Sequence, residues 1–350
     1  MDNAPILTPI KDAHRFDEKR LAEYLADNLA EFKGPLAITQ FEGGQSNPTF
    51  LLEAAGRKWV LRRKPPGQLL PSAHQVDREY RVMKALEGTR VPVPKMLLLC
   101  RDETVMGSMF FVMEHIPGRV LRDSKLPGFS PEERRAVYRD MNQNLAELHN
   151  LDYKKLGLED FGKPGNYYAR QISRWSRQYL AARTDDIPEM DALMEHLPRA
   201  IPASDEAGVI HGDFRMENHL FHPTAAKSVA VLDWELSTLG HPLGDLAYHC
   251  MPYHAEMKDA SGTLSDIAGP QTGLPTEKEY LAWYCERTGR AGIEHWNFYL
   301  AFALFRMAGI LQGVYKRGLL GNASSAAALE RGKHARLAAV TGWKLLQEME

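Results

Sequence analysis

Asp213, Asn218 and Asp233 are three oxygen-bearing side chains whose order and spacing suit chemistry on a phosphate. The first two lie in Val209-Ile-His-Gly-Asp-Phe-Arg-Met-Glu-Asn-His-Leu-Phe221, a polar loop with a short apolar run on each side. A second apolar run, Val229-Ala-Val-Leu232, ends in Asp233-Trp-Glu235. Short apolar runs read as buried strands, so the pattern is a strand-edged loop that delivers polar groups into a cleft. One carboxylate there can take the proton of an attacking hydroxyl. Hard oxygen donors beside it can hold Mg²⁺, which is bound through one or two carboxylates and keeps positions for phosphate oxygens. Asp and Asn also favour turns for purely structural reasons, but a turn alone does not account for the second acid at a strand end.

Other elements must position these groups. Residues 16–32 carry Leu21, Leu25, Leu29 and Phe32 at helical spacing, with Asp17 as N-cap and Gly34-Pro35 as the stop. Residues 36–41 and 49–53 read as a hairpin around Gly43-Gly-Gln-Ser-Asn-Pro48, and Ala55-Gly56 turns into a third strand, Lys58-Trp-Val-Leu-Arg62. Backbone N–H groups in such a loop can approach phosphates, which makes Gly43, Gly44 and Ser46 candidate nucleotide contacts. Arg62 and Lys64 share one face of the third strand and Arg63 points away. The spacing then predicts a helix over 73–86 and strands over 96–100 and 108–113, completing a five-stranded antiparallel sheet. From Pro131 the character changes. Helices are expected over 131–149, 166–181, 189–197, 277–288, 293–317 and 323–346, the first opened by Ser130-Pro-Glu-Glu133.

The composite H-G-D-x-x-x-x-N, an apolar run and D-W-E resembles the aminoglycoside phosphotransferase family, a branch of kinase-like small-molecule phosphotransferases. The resemblance extends from about residue 43 to residue 253. Val-Leu-Arg-Arg-Lys-Pro-Pro-Gly and Pro-Ser-Ala-His-Gln-Val-Asp-Arg-Glu-Tyr most resemble the kinase-like domains fused to acyl-CoA dehydrogenases. It implies an α+β, two-lobed protein-kinase-like fold: an antiparallel-sheet lobe over 1–115 and a helical lobe over 116–350. It also implies roles. Asp213 is the carboxylate that orients and deprotonates the acceptor, and Asn218 and Asp233 are the Mg²⁺ ligands. Arg62 is the first choice for the phosphate contact and Lys64 its rival, because Arg stands where the kinase V-A-I-K pattern has Lys. Glu79 orients that cation, and backbone groups from Glu114 to Ile116 meet the adenine. Gly118 lets the chain turn into the second lobe. Arg215 neutralises the transferring phosphate, or forms a loop-edge salt bridge. His211 is a loop anchor, and Glu235 serves metal or substrate, or is a surface acid. Asp245 caps a helix and accepts backbone N–H bonds from the catalytic loop.

Composition narrows the partners. A net charge of −2 over 350 residues gives no reason to expect nucleic acid. Cys100, Cys250 and Cys285 lack metal-ligand spacing, and an odd, scattered set fits a reduced, cytoplasmic compartment. The apolar stretch 298–311 is too short to cross a bilayer, so no membrane is expected. The expected activity is ATP- and Mg²⁺-dependent phosphorylation of a small-molecule hydroxyl, with a hydroxyacyl-type metabolite favoured. A choline-, macrolide- or aminoglycoside-type kinase is the alternative within the class, and a silent nucleotide-binding pseudokinase scaffold the alternative outside it. No protein-kinase activation segment is evident. His241, Tyr253, His254, Trp283 and Trp296 are candidates for the acceptor wall. Oligomeric state stays open.

Overall fold

A run of apolar residues on both faces of a strand demands cover on both sides, and Trp59-Val-Leu61 is such a run. The computed structural model describes residues 5–42, 47–65, 75–255, 262–321 and 328–349, and all but Arg331 of their side chains. These residues form two compact units. The first comprises Met1–Arg122, Lys154–Leu158 and Met216–Ser237. The second comprises Asp123–Tyr153, Glu159–Arg215 and Thr238–Glu350. The division thus falls after Arg122 rather than after residue 115, and the segment bearing Asn218 and Asp233 packs with the N-terminal unit.

In the first unit the strands are Leu7–Thr8 (β1), Ala37–Phe41 (β2), Thr49–Ala54 (β3), Arg57–Arg63 (β4), Met96–Cys100 (β5) and Phe110–Glu114 (β6). They form one antiparallel sheet in the order β1-β2-β3-β4-β6-β5. The sheet has six strands where five were expected. β1 is only two residues long, too short to leave a periodic signal, and pairs Leu7 with Phe41. Helix Glu18–Asn28 (α1) begins at Asp17, whose carboxylate accepts the Arg20 N–H at 3.0 Å. Its Leu21 and Leu25 cover Phe50, Leu52, Trp59, Leu61, Phe110 and Val112, the alternate residues of β3, β4 and β6. Helix Val76–Leu86 (α2) packs with β5 and β6 and bears the buried Glu79. Residues 73 and 74, where that helix was expected to start, lie outside the described residues.

Strand Arg119–Val120 (β7) pairs with His219–Phe221, which pairs in turn with Ser228–Val231. Gly118 stands just before β7, where a Cβ would lie 2.5 Å from Leu220 Cγ and 2.7 Å from the Phe221 carbonyl oxygen. Close packing, rather than turning, requires this glycine.

The second unit is mainly helical. Helix Pro131–His149 (α3) opens with a reciprocal capping box between Ser130 and Glu133. Helices Tyr167–Ala182 (α4), Pro188–His196 (α5) and Leu243–Cys250 (α6) follow, with Gly208–Ile210 paired to Thr238–Gly240. Glu277–Thr288 (α7) carries a second capping box, Thr276 with Glu279, and ends at left-handed Gly289. Trp296–Leu319 (α8) has 24 residues, longer than the apolar stretch anticipated. By length and composition it could cross a bilayer, yet most of it is buried, packed on α4, α6 and α10, the last helix of the chain. The single final helix expected over 323–346 is instead Ala328–Gly332 (α9) and His334–Gln347 (α10). Gly332, at the break, abuts the Tyr315 side chain, where a Cβ would lie 2.3 Å from Tyr315 Cβ.

Candidate active site

In the first unit Arg62 gathers three acids. Its register opposite Phe111 and beside buried Leu61 turns it to the face covered by α2. Nε lies 2.8 Å from Glu79 Oε2, and Nη2 lies 2.5 Å from Asp233 Oδ1 and 3.7 Å from Glu235 Oε2. Asn47 Nδ2 donates to the same Glu235 oxygen at 3.1 Å. Glu79 is almost fully buried and Asp233 is about one-third exposed. Burial pushes the Glu79 carboxyl up to about 7, Arg62 opposes that, and the Asp233 and Glu235 charges add to it. Burial alone would lower the Arg62 value, but the three carboxylates outweigh it and hold it above its usual range.

Asp233 sits at the end of its strand with φ 66° and ψ 56°, a left-handed conformation that few side chains adopt. Backbone held this way costs energy and is concentrated at functional sites. The Leu232 N–H donates to the Asn218 carbonyl at 2.8 Å, so the buried Asn218 adjoins the strand end that carries Asp233. Among the described residues no three His, Cys, Asp or Glu side chains form a ready metal cage. Mg²⁺ does not need one, because phosphates complete its shell. Three carboxylates around one guanidinium leave negative charge uncompensated, and Asn218 and Asp233 supply hard oxygen donors. The donor chemistry fits that ion.

Lys64 makes a different set of contacts. Its N–H donates to the Met109 carbonyl, and its own carbonyl accepts from Ser108 Oγ at 2.8 Å. Its side chain has no ion pair among the described residues, so Glu79 meets Arg62 and not Lys64. Arg63 points to the α1 face, bonded to Ser108 Oγ at 3.1 Å and stacked on Phe16. Gly43, Gly44 and Ser46 lie outside the described residues. Glu114 ends β6 with its N–H committed to the Lys95 carbonyl, and Ile116 follows two residues later. Glu235, undecided from sequence, is largely buried and joined to Arg62 and Asn47. Asn47 was not singled out from sequence; its only signal was an amide in a glycine-rich loop.

The second unit holds Asp213. Gly212 has φ +83°, which explains a glycine at this point of the loop. Asp245 accepts the His211 N–H at 2.6 Å and the Gly212 N–H at 2.8 Å. Burial alone would raise the Asp245 value; His149, His211 and the Gly212 N–H overcome it and hold it low. Asp245 anchors the loop as expected, but it does not cap α6, whose N-cap position is Pro242. His211 is fully buried, and its Nδ1 accepts the Asp213 N–H at 3.2 Å. Arg215 is half exposed with Nε 3.2 Å from Asp213 Oδ2, so it forms the loop-edge salt bridge weighed above. The Tyr248 hydroxyl also bonds Asp213, and burial together with that carboxylate raises its value.

Arg306 is the residue that sequence reasoning passed over. It interrupts an apolar helix, a signal read only as a break in a hydrophobic run. It is buried over the rings of Trp175 and Tyr248 and donates from Nη2 to the Gly212 carbonyl at 2.7 Å. Of the residues suggested for an acceptor wall, His254 and Trp296 converge on Glu277, at 2.8 and 3.1 Å. His241 and Tyr253 are buried. Trp283 lies under the Arg135 and Arg139 guanidinium groups.

Comparison with known proteins adds to this geometry. The profile described as "Phosphotransferase enzyme family" matches residues 37–280. Acyl-CoA dehydrogenase family member 10 of Mus musculus is 44% identical over 341 residues, covering 97% of this chain but 32% of that protein. The chain thus spans about a third of that relative's length. A crystal structure of a candidate aminoglycoside phosphotransferase from Ralstonia eutropha JMP134 is 50% identical with a TM-score of 0.86, covering 95% of this chain and 99% of that one. A thermostable mutant of aminoglycoside phosphotransferase APH(4)-Ia, in ternary complex with AMP-PNP and hygromycin B, shares the fold at 15% identity and TM-score 0.60, covering 93% and 98%. The two-lobed, kinase-like α+β class follows from these likenesses.

Proposed function

This chain belongs to the phosphotransferase enzyme family, and from that premise we propose that it moves the γ-phosphoryl group of ATP to a hydroxyl of a small molecule. The observation that carries this reading is Arg62 held at 2.8 Å by buried Glu79 and at 2.5 Å by Asp233. A guanidinium so oriented suits the α/β-phosphates, and its acids suit a metal. Asn218 and Asp233 would hold Mg²⁺, which neutralises charge on the phosphate oxygens when bound. Asp213 accepts the proton as the acceptor oxygen bonds to phosphorus and the bond to the ADP oxygen breaks. Arg215 exchanges its contact with Asp213 for the transferring phosphate. Little covalent work falls to the protein, because such transfer rests on positioning and charge neutralisation. Support for ATP comes from the AMP-PNP complex of the structural neighbour.

For the acceptor we favour a neutral or anionic hydroxylated metabolite of hydroxyacyl type. Its support is the mouse relative, whose name is that of an acyl-CoA dehydrogenase family member and which contains this chain's counterpart within a longer protein. Three free cysteines, two of them buried, support a reduced, cytoplasmic setting. The test is ATP consumption with and without a panel of hydroxyacyl compounds, choline, macrolides and aminoglycosides, read by mass spectrometry for an added phosphoryl group. Acceptor-dependent consumption is expected. Nucleotide binding with no transfer to any acceptor would favour the scaffold reading.

A further inference from the structure

Asn47 ends a glycine-rich stretch of sequence, Gly43-Gly-Gln-Ser-Asn47, yet it is fully buried. Its Nδ2 donates to Glu235 Oε2 at 3.1 Å across 188 positions of sequence. The backbone beside it is fastened to the strand that carries Arg62. The Asn47 carbonyl accepts from Thr49 Oγ1 at 3.1 Å, and Thr49 pairs with Arg62 between β3 and β4. The next carbonyl, that of Pro48, accepts the Arg63 N–H at 3.0 Å. Asn47, Arg62 and Glu235 all belong to the first unit.

The polarity of this contact is fixed by its acid. An ionised carboxylate only accepts, so the amide nitrogen, and not its oxygen, faces Glu235. Glu235 Oε2 is also the oxygen turned to Arg62, with Nη2 3.7 Å away, while Asp233 Oδ1 lies 2.5 Å from the same nitrogen. Two carboxylates thus stand around one guanidinium nitrogen, one bonded to it and one held just short. A hydrogen bond between ions is shorter than a neutral one and about twice as strong, so Glu235 gains by closing the remaining distance. The Asn47 amide opposes that movement, because it engages the same oxygen where it now stands.

We propose that Asn47 is a positioning residue: by holding Glu235 it keeps Arg62 from being closed in by a third acid beside Glu79 and Asp233, and so keeps the guanidinium available to nucleotide phosphates. This role rests on the nucleotide-binding part of the function proposed above, and not on transfer to an acceptor. The outer partner of a positioned group matters in the same way around metal-bound histidines, where its loss costs about 10- to 100-fold.

The test is calorimetric titration of the full chain with MgAMP-PNP, which needs no acceptor. Asn47→Ala should weaken binding by about 10-fold. Glu235→Gln removes the charge that draws this side chain to Arg62, so the double variant Asn47→Ala/Glu235→Gln should bind more tightly than Asn47→Ala alone. A packing role for Asn47 would give no such recovery. With an acceptor that is turned over, Asn47→Ala should raise KM for ATP by a similar factor and leave kcat in place. Thermal denaturation without nucleotide checks that each variant is folded. Asn47→Ser, whose side chain is too short to reach Glu235, gives the same comparison should Asn47→Ala fail to fold. Unchanged affinity in the single variant, or a further loss in the double variant, would overturn the role of Asn47 alone. A parent protein that binds no MgAMP-PNP would remove the nucleotide reading and this role with it. Weakened binding and its recovery, with no acceptor ever phosphorylated, would support the role and remove only the transfer step.

Discussion

Arg306 and Gly212 stand 94 positions apart in sequence and meet through one hydrogen bond of 2.7 Å, guanidinium to carbonyl. Asp245 holds the N–H side of the same turn. The peptide leading into Asp213 is therefore gripped by a cation on one side and an anion on the other. Arg306→Met should leave a buried carbonyl without its donor, destabilising the fold by about 1–3 kcal/mol. It should also lower kcat more than it raises either KM. Chemical denaturation and steady-state rates on the same preparation measure both. A loss of stability with full kcat would make Arg306 a packing residue only.

Asp213→Asn should keep the affinity for Mg-nucleotide and reduce turnover by about 10²–10⁴-fold, the usual worth of a proton-accepting group. Asp233→Ala should weaken MgATP binding itself, because a hard carboxylate donor is gone. Calorimetric titration of each variant separates the two effects. Equal loss of binding in both would merge their roles.

For the basic strand, Arg62→Ala should raise KM for ATP more than Lys64→Ala does. Glu79→Ala should act in the same direction as Arg62→Ala, since the acid orients the guanidinium. A larger effect at Lys64 would move the phosphate contact two positions along the chain.

Glu79 also gives a pH dependence with a definite sign. Its folded-state value is raised to about 7, so its contribution to stability is full below the ordinary carboxyl range and declines as pH rises through 7. Glu79→Gln should flatten that decline, and the substituted protein should gain on the parent between pH 5 and pH 8. Thermal denaturation across that range is the measurement. A parent that gains on the variant with rising pH would reverse the assignment.

Gly118→Ala would push a methyl to within 2.5 Å of Leu220 and 2.7 Å of the Phe221 carbonyl. Overpacking of this kind costs about 1–3 kcal/mol, and a lowered denaturation midpoint should show it.

Much of this protein is legible in its sequence because the informative contacts are local or periodic. Asp17, Ser130 and the 2- and 3.6-residue periodicities declare their elements directly, and Asp213, Asn218 and Asp233 declare a chemistry by spacing. What sequence hides is what depends on distant partners. Leu7–Thr8 is a strand only because β2 offers an edge. Glu235 reads equally as a metal or substrate group and as a surface acid until Arg62 and Asn47 are found beside it. Arg306 looks like a flaw in an apolar helix until its carbonyl partner appears.

The assignment of Met216–Ser237 to the N-terminal unit has a consequence for inheritance and for engineering. A gene fragment ending at Arg122 would encode Arg62 and Glu79 but not the Asp233 and Glu235 that balance them, nor the strand that fills the space over Gly118. The sheet-bearing half is thus not a cassette that can be cut out and moved. Recombination between relatives should be tolerated only where both stretches travel together, which ties the evolution of the sheet-bearing side to that of the loop following Asp213.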